Sequence, residues 1–188
     1  MIMVGMLNVA ALAAVGMSMQ FMMVINVVMT LYIVGGNAII ARLIGQRRRY
    51  RASALLYSLS LFALLISIPI SIFGYFNAEN FYLWMGAEAE LAVFGRDYFE
   101  IIMLGLPLIF LDALMYNALS AAGDTKSSLY IKIFSALVNL LFNYLLIFGH
   151  GGFEAMGIAG AAYATVIAYG FNIILYGFCL FIVCGFKT

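Results

Sequence analysis

The chain has 188 residues, of which 66% are hydrophobic and only 9% charged, with a formal net charge of +1 and a mean hydropathy of +1.11. A water-soluble domain is normally about 45–50% apolar and about 25% charged, so this composition excludes a soluble globular protein and defines an all-α integral membrane protein. Cys179 and Cys184 stand five apart within an apolar run, on different helix faces, which disfavours a disulfide or a paired metal site.

About 20 mostly apolar residues are needed to cross a bilayer. Hydropathy and helix breakers predict five spans. The first, roughly Leu12 to Ile44, exceeds one bilayer thickness and must tilt or project. Ahead of it lies a Met-rich run without the basic n-region of a signal peptide. On the first span Asn26, Thr30 and Asn37 fall within about 40° of one another at 100° per residue. Gly35 and Gly36 loosen the helix beside Asn37.

The second span runs roughly from Ala52 to Phe73, with Pro69 near its end. The longer link from Asn77 to Arg96 carries Phe81, Tyr82 and Trp84, which suit a segment lying at headgroup level. The third span, roughly Tyr98 to Ala122, contains Gly105 and Pro107, where a kink is expected. Asp112, Tyr116 and Ser120 follow one another at i+4 on it, with Asn117 alongside. Asp112 is the one acid placed deep in a predicted span, and intramembrane acids face a partner or a cavity. It is either a functional carboxylate or a structural one paired with Tyr116 or a neighbouring helix.

The polar turn Gly123-Asp124-Thr125-Lys126 launches the fourth span, roughly Ser128 to Phe148, which stacks Lys132, Ser135, Asn139 and Asn143. Lys132, close to the helix start, is expected to snorkel to the interface. His150 sits in a Gly-rich loop with Gly151 and Gly152, as a solvated side chain or a proton sensor. The fifth span, roughly Met156 to Val183, aligns Thr165, Tyr169, Asn172 and Tyr176, and opens with a small-residue row of Gly157, Ala161 and Thr165 that suits close helix packing. Each stripe alone could be helix–helix glue. Four together argue for a shared, partly hydrated cavity.

Every Lys and Arg except Arg96 clusters at one side: Arg42, Arg47, Arg48, Arg49 and Arg51 after the first span, Lys126 and Lys132 at the next turn, Lys187 after the last. Glu79, Glu88, Glu90, Asp97, Glu100 and Glu154 take the other. Excess Lys and Arg marks the cytoplasm. The expected topology has an outside N-terminus and a cytoplasmic C-terminus, with the protein multi-pass in the cell inner (plasma) membrane. An outside N-terminus without a signal suggests a missing preceding span. The Arg47–Arg49 cluster can touch anionic headgroups, although topology alone explains it. Walker A, H-E-x-x-H and G-x-S-x-G patterns are absent, so an enzyme, a metal site, a cofactor and a nucleic-acid partner are not expected.

GGNAIIARLIGQRRRYRAS (35–53) resembles the end of the second helix of multidrug and toxic compound extrusion (MATE) transporters and the basic loop after it. GLPLIFLDALMYNALSAAGDTKSSLYIKIFSALVNLLFNYLLIFG (105–149) is similar to their fourth and fifth helices with the G-D-T-[KR] turn, and MGIAGAAYATVIAYG (156–170) to the start of the sixth. ALAAVG (11–16) resembles the loop entering the second helix. The resemblance implies five of the six helices of an N-terminal MATE lobe, without its first helix, which carries a cation-linked aspartate in many members. It implies secondary active multidrug or organic cation efflux by antiport with H⁺ or Na⁺, with amphipathic cations, membrane lipid and the missing helix and C-terminal lobe as partners. The chain then reads as a fragment or a split or truncated gene product, made of one partial transmembrane lobe and no soluble domain.

Asn117, Asn139 and Thr165 fall on the family's polar-cluster positions. Asn143 occupies a position that is aspartate in some branches. With Asp112, Asn26, Tyr169 and Asn172 they form the expected substrate and cation pathway. Alternatives are a flippase-type exporter of lipid-linked material, which basic lining would favour, and a non-transporting scaffold or remnant.

Overall fold

The computed structural model describes residues 9–150 and 154–184. Lys187, Gly151 and Gly152 lie outside those residues, as does the side chain of Cys184. Among the described residues six helices follow in order: α1 Val9–Gly45, α2 Arg49–Phe76, α3 Ala78–Trp84, α4 Ala89–Ala121, α5 Thr125–Phe148 and α6 Gly157–Cys184. All but α3 are long and apolar enough to cross a membrane, which gives five spans.

The extents differ from the sequence reading at two places. Ala11–Gly16, expected as an entry loop, is helical and belongs to α1, which is about 55 Å long at 1.5 Å per residue. The helix of the third span begins at Ala89 rather than Tyr98. Its first turns carry Glu90, Arg96, Asp97 and Glu100, charges that lower hydropathy without disturbing helix geometry. Arg96, the basic residue on the acidic side, bonds Glu100 one turn on at 2.5 Å and stands 4.0 Å from Glu79. Pro69 and Pro107 both lie within continuous helices, α2 and α4.

Helix α4 is the pole of the bundle. It packs along α6, α2, α1 and α3, while α5 rests on α6 and touches α4 only sparingly. Lipid tails are as apolar as leucine, so close packing rather than water exclusion holds such helices together. Glycines supply that closeness. A Cβ on Gly105 would stand 2.4 Å from Val166 Cγ2, and one on Gly160 would stand 2.7 Å from the Leu146 carbonyl. Gly160, beside Ala161 of the expected small-residue row, therefore makes a tight α5–α6 approach.

Two apolar clusters divide the bundle. The one toward the α3 end gathers Phe99, Met103 and Leu106 with Tyr82, and the other joins Ile40, Leu56, Leu114, Ile131 and Tyr176 toward the turn end. Phe81 and Tyr82 of the expected interfacial segment turn into the bundle. Phe81 stacks on Phe99 at 4.5 Å and Tyr82 is fully buried, while Trp84 stays exposed.

Chain reversals are locally encoded. Arg47 closes α1 with φ 59°, and the Arg48 N–H reaches back to the Leu43 carbonyl at 2.9 Å. Asp124 caps α5 by accepting from the Ser127 N–H at 3.0 Å. Gly149 ends α5 in the left-handed region at φ 72°.

Candidate functional site

Polar side chains of the spans gather in three places. Between α1 and α4, Asn26, Thr30 and Asn117 line a cavity of about 200 Å³ together with Met29, Ile33, Val34 and Ala113. Each turns a donor onto its own helix: Asn26 to Met22 O at 2.7 Å, Thr30 to Asn26 O at 2.7 Å and Asn117 to Ala113 O at 2.8 Å. This back-bonding uses one donor of each side chain and leaves acceptor capacity on their oxygens.

The second group joins α5 to α6. Asn143 donates to both the backbone and side-chain oxygens of Asn139 at 2.8 Å, and Asn139 donates to Thr165 Oγ1 at 3.4 Å. Thr165 donates in turn to Ala161 O at 2.9 Å. All three side chains are half-buried. The i+4 spacing of Asn139 and Asn143 sets them one above the other.

The third group lies between α4, α5 and α6. Lys132 Nζ bonds Asp112 Oδ2 at 2.7 Å. Lys132 thus turns inward to a carboxylate instead of snorkelling to the interface. The Asp112 side chain is 4% exposed and that of Lys132 39%, so the pair is anchored on the carboxylate side. The ammonium also stands over three tyrosine rings, at 5.3 Å from the Tyr116 centroid and 5.9 Å from those of Tyr169 and Tyr176. Asn172, Tyr176 and Asp112 are all buried, and Asn172 Oδ1, Tyr176 Oη and Asp112 Oδ1 have no hydrogen-bond partner. A buried orphan oxygen loses about 1–3 kcal/mol of solvation, so those of Asp112 and Tyr176, both beside one ammonium, mark unspent polar capacity.

The eight expected pathway residues thus separate. Asn26 and Asn117 face the α1–α4 cavity, Asn139, Asn143 and Thr165 bridge α5 and α6, and Asp112 and Tyr169 meet around Lys132, with Asn172 on the same face of α6 as Tyr176. No hydrogen bond among the described residues links the three groups. Lys132 is the functional candidate that sequence reasoning misplaced. Its signal was available, because Asp112 and Lys132 stand at comparable distances on either side of the Gly123 turn. Asn37 keeps an unpartnered buried Oδ1 apart from these groups. His150 is exposed and stacks on Tyr144 at 4.6 Å. No group of three His, Cys, Asp or Glu placed to hold a metal exists among the described residues.

Four apolar spans packed about a fifth, α4, with amides, hydroxyls and one ion pair held between them, define a multi-pass helical membrane bundle. The MatE family profile matches residues 1–145, and the chain belongs to that family. A probable multidrug resistance protein NorM of Listeria monocytogenes serotype 4b (strain F2365) is 28% identical over 159 residues, covering 85% of this chain and 35% of that protein. A NorM protein of Agrobacterium fabrum is 30% identical over 179 residues, covering 93% of this chain and 37% of its own length. An FAD transporter of Shewanella oneidensis is 29% identical over 176 residues, covering 94% and 39%. An inward-facing structure of a multidrug resistance MATE family transporter of the MOP superfamily superposes with TM-score 0.86 at 24% identity, over 96% of this chain and 40% of that one. A MATE crystal structure in the bent conformation gives 0.85 at 24% identity with the same coverage. The structural likeness carries the fold. The chain therefore spans well under half the length of these relatives.

Proposed function

We propose that this chain supplies five helices of the N-terminal lobe of a secondary transporter that exports amphipathic organic cations in exchange for H⁺ or Na⁺. The reading rests on family membership and on one observation above all: the Asn139–Asn143–Thr165 group, uncharged, half-buried and set between two spans. Amides in lipid must find partners. These keep acceptor capacity beyond the bonds they make, which suits a polar path for a cation more than simple glue. Asn26, Asn117, Asp112, Tyr169 and Asn172 are assigned to the same pathway from the neighbouring helices.

One basic side chain is seen to enter the interior groups, Lys132, and Asp112 neutralises it. That balance favours cationic over anionic or lipid-linked cargo. The turns carrying Arg42, Arg47, Arg48, Arg49, Arg51 and Lys126 are assigned to the cytoplasm, which puts the C-terminal end of α6 on the same side. The further helix and second lobe of a full-length relative are taken as the partners that complete the cavity.

The test is dye transport by the complete transporter in proteoliposomes. Export of a cationic dye under an imposed proton or sodium gradient is expected. Absence of movement under both gradients would remove the reading.

A further inference from the structure

We propose that Asp112, Tyr116, Tyr169 and Tyr176 form a recognition site for a soft organic ammonium, and that Lys132 fills it as a tethered stand-in which a substrate cation displaces. This deepens the export reading above and rests on it for the identity of the ligand class.

The geometry is that of a cation site rather than a plain ion pair. A single carboxylate would suffice to neutralise a lysine. Here three aromatic faces, from α4 and α6, also lie within about 6 Å of the nitrogen, the range in which a ring quadrupole attracts a cation. Such cages favour weakly hydrated, bulky cations over a strongly hydrated primary ammonium. The site is also under-filled. Asp112 Oδ1 and Tyr176 Oη are buried without partners, so the lysine uses only part of the bonding that the walls offer.

Lysine is the residue able to leave. It enters from α5, the helix that touches α4 least, and its side chain is 39% exposed against 4% for Asp112. Its flexible stem can swing to the Arg-rich end and place the ammonium in water, whereas the carboxylate is held in the packed interior. An arriving cation would thus find the Asp112 side chain and the three rings already in place. Displacement leaves the charge count of the protein unchanged and adds that of the ligand.

The protein carrying this chain, in lipid nanodiscs, is titrated with ethidium, a permanent aromatic cation. Lys132→Met removes the competitor and should tighten binding about tenfold, the scale of one desolvated cation–π contact. Tyr116→Leu added to Lys132→Met should return affinity toward the wild-type value. In the wild-type protein, saturating ethidium should raise acetylation of Lys132 by acetic anhydride several-fold, read by mass spectrometry; this arm needs no folded variant. Unchanged or weaker binding in a Lys132→Met protein that keeps its melting temperature overturns the proposal. So does a double variant that keeps the full gain, acetylation that stays flat or falls, or failure of ethidium to bind at all. Loss of dye export with the binding gain intact removes the transport reading and leaves the site standing. Normal export without the gain does the reverse.

Discussion

Tyr82 donates a 3.0 Å hydrogen bond to the Gly95 carbonyl while its ring occupies the space that a side chain on Gly95 would need, 2.5 Å from an ideal Cβ. The same hydroxyl lies 2.7 Å from Ser18 Oγ, so one phenol ties α3 to α1 and α4. Burial pushes its pKa up to about 12, against the opposing pull of the Ser18 hydrogen bond, and it remains a neutral donor. Tyr82→Phe should cost about 1–2 kcal/mol by orphaning buried polar groups, read as a lower melting temperature in detergent. Gly95→Ala should cost more, because the ring has nowhere to move within a fully buried site.

Asp112→Asn should lower both export and stability, because it strands the Lys132 ammonium. Half-exposure of the lysine softens the usual penalty for breaking a buried pair to about 1–3 kcal/mol. The double variant Asp112→Asn/Lys132→Met should recover most of the stability and none of the export. Unchanged efflux in the single variant would refute the pathway assignment of Asp112.

Asn139→Ala removes the hub of the α5–α6 group, since Asn143 donates to its side chain and it donates to Thr165. Dye efflux should fall at least tenfold with a melting temperature within a few degrees of wild type, because Asn143 keeps its bond to the residue-139 carbonyl. A variant that transports normally would return this group to the role of helix glue.

The turn before α5 gives a pH signature. Hydrogen bonds from Ser127, side chain first and backbone N–H second, hold the Asp124 carboxyl below its usual range. A depressed carboxylate stabilises the fold above its unfolded pKa and loses that contribution as pH falls through the folded value. Asp124→Ala should therefore cost about 1 kcal/mol of helix capping at pH 7. The gap from wild type should begin to shrink below about pH 4, where the unfolded carboxyl takes up its proton, and close as pH falls through the depressed native value. Thermal melts of both forms at pH 7 and pH 3 check the sign.

Arg47 holds a left-handed conformation at φ 59°, which burdens a residue that carries a Cβ. Arg47→Gly should raise stability by up to about 1 kcal/mol through relief of that strain. A lowered melting temperature would show that the arginine side chain itself contributes to this end of the bundle.

Much of the fold was legible because a bilayer imposes coarse rules. Spans need length and apolarity, and turns need Gly123, Asp124 or Gly149, all of which can be read in one dimension. The start of α4 was not legible, because Glu90, Arg96, Asp97 and Glu100 look like a loop to a hydropathy window, while Arg96 and Glu100 pair along a helix. The pathway stripes were legible as faces of single helices. Which faces meet was not, because that depends on where Gly105 and Gly160 let backbones close. Lys132 shows the gap most clearly. Near a helix start its expected role was at the interface, and only the proximity of Asp112 across the turn redirects it.

The position of α4 at the centre bears on how the protein is made. Helices α1 and α2 meet over a limited stretch and each finds its larger partner in α4. During synthesis α1 and α2 must therefore wait in the bilayer, with Ser71 lacking the Met103 carbonyl that α4 will bring. Assembly of this lobe is gated by emergence of α4 from the ribosome, and any delay there prolongs an interval in which the nascent helices are open to quality-control proteases.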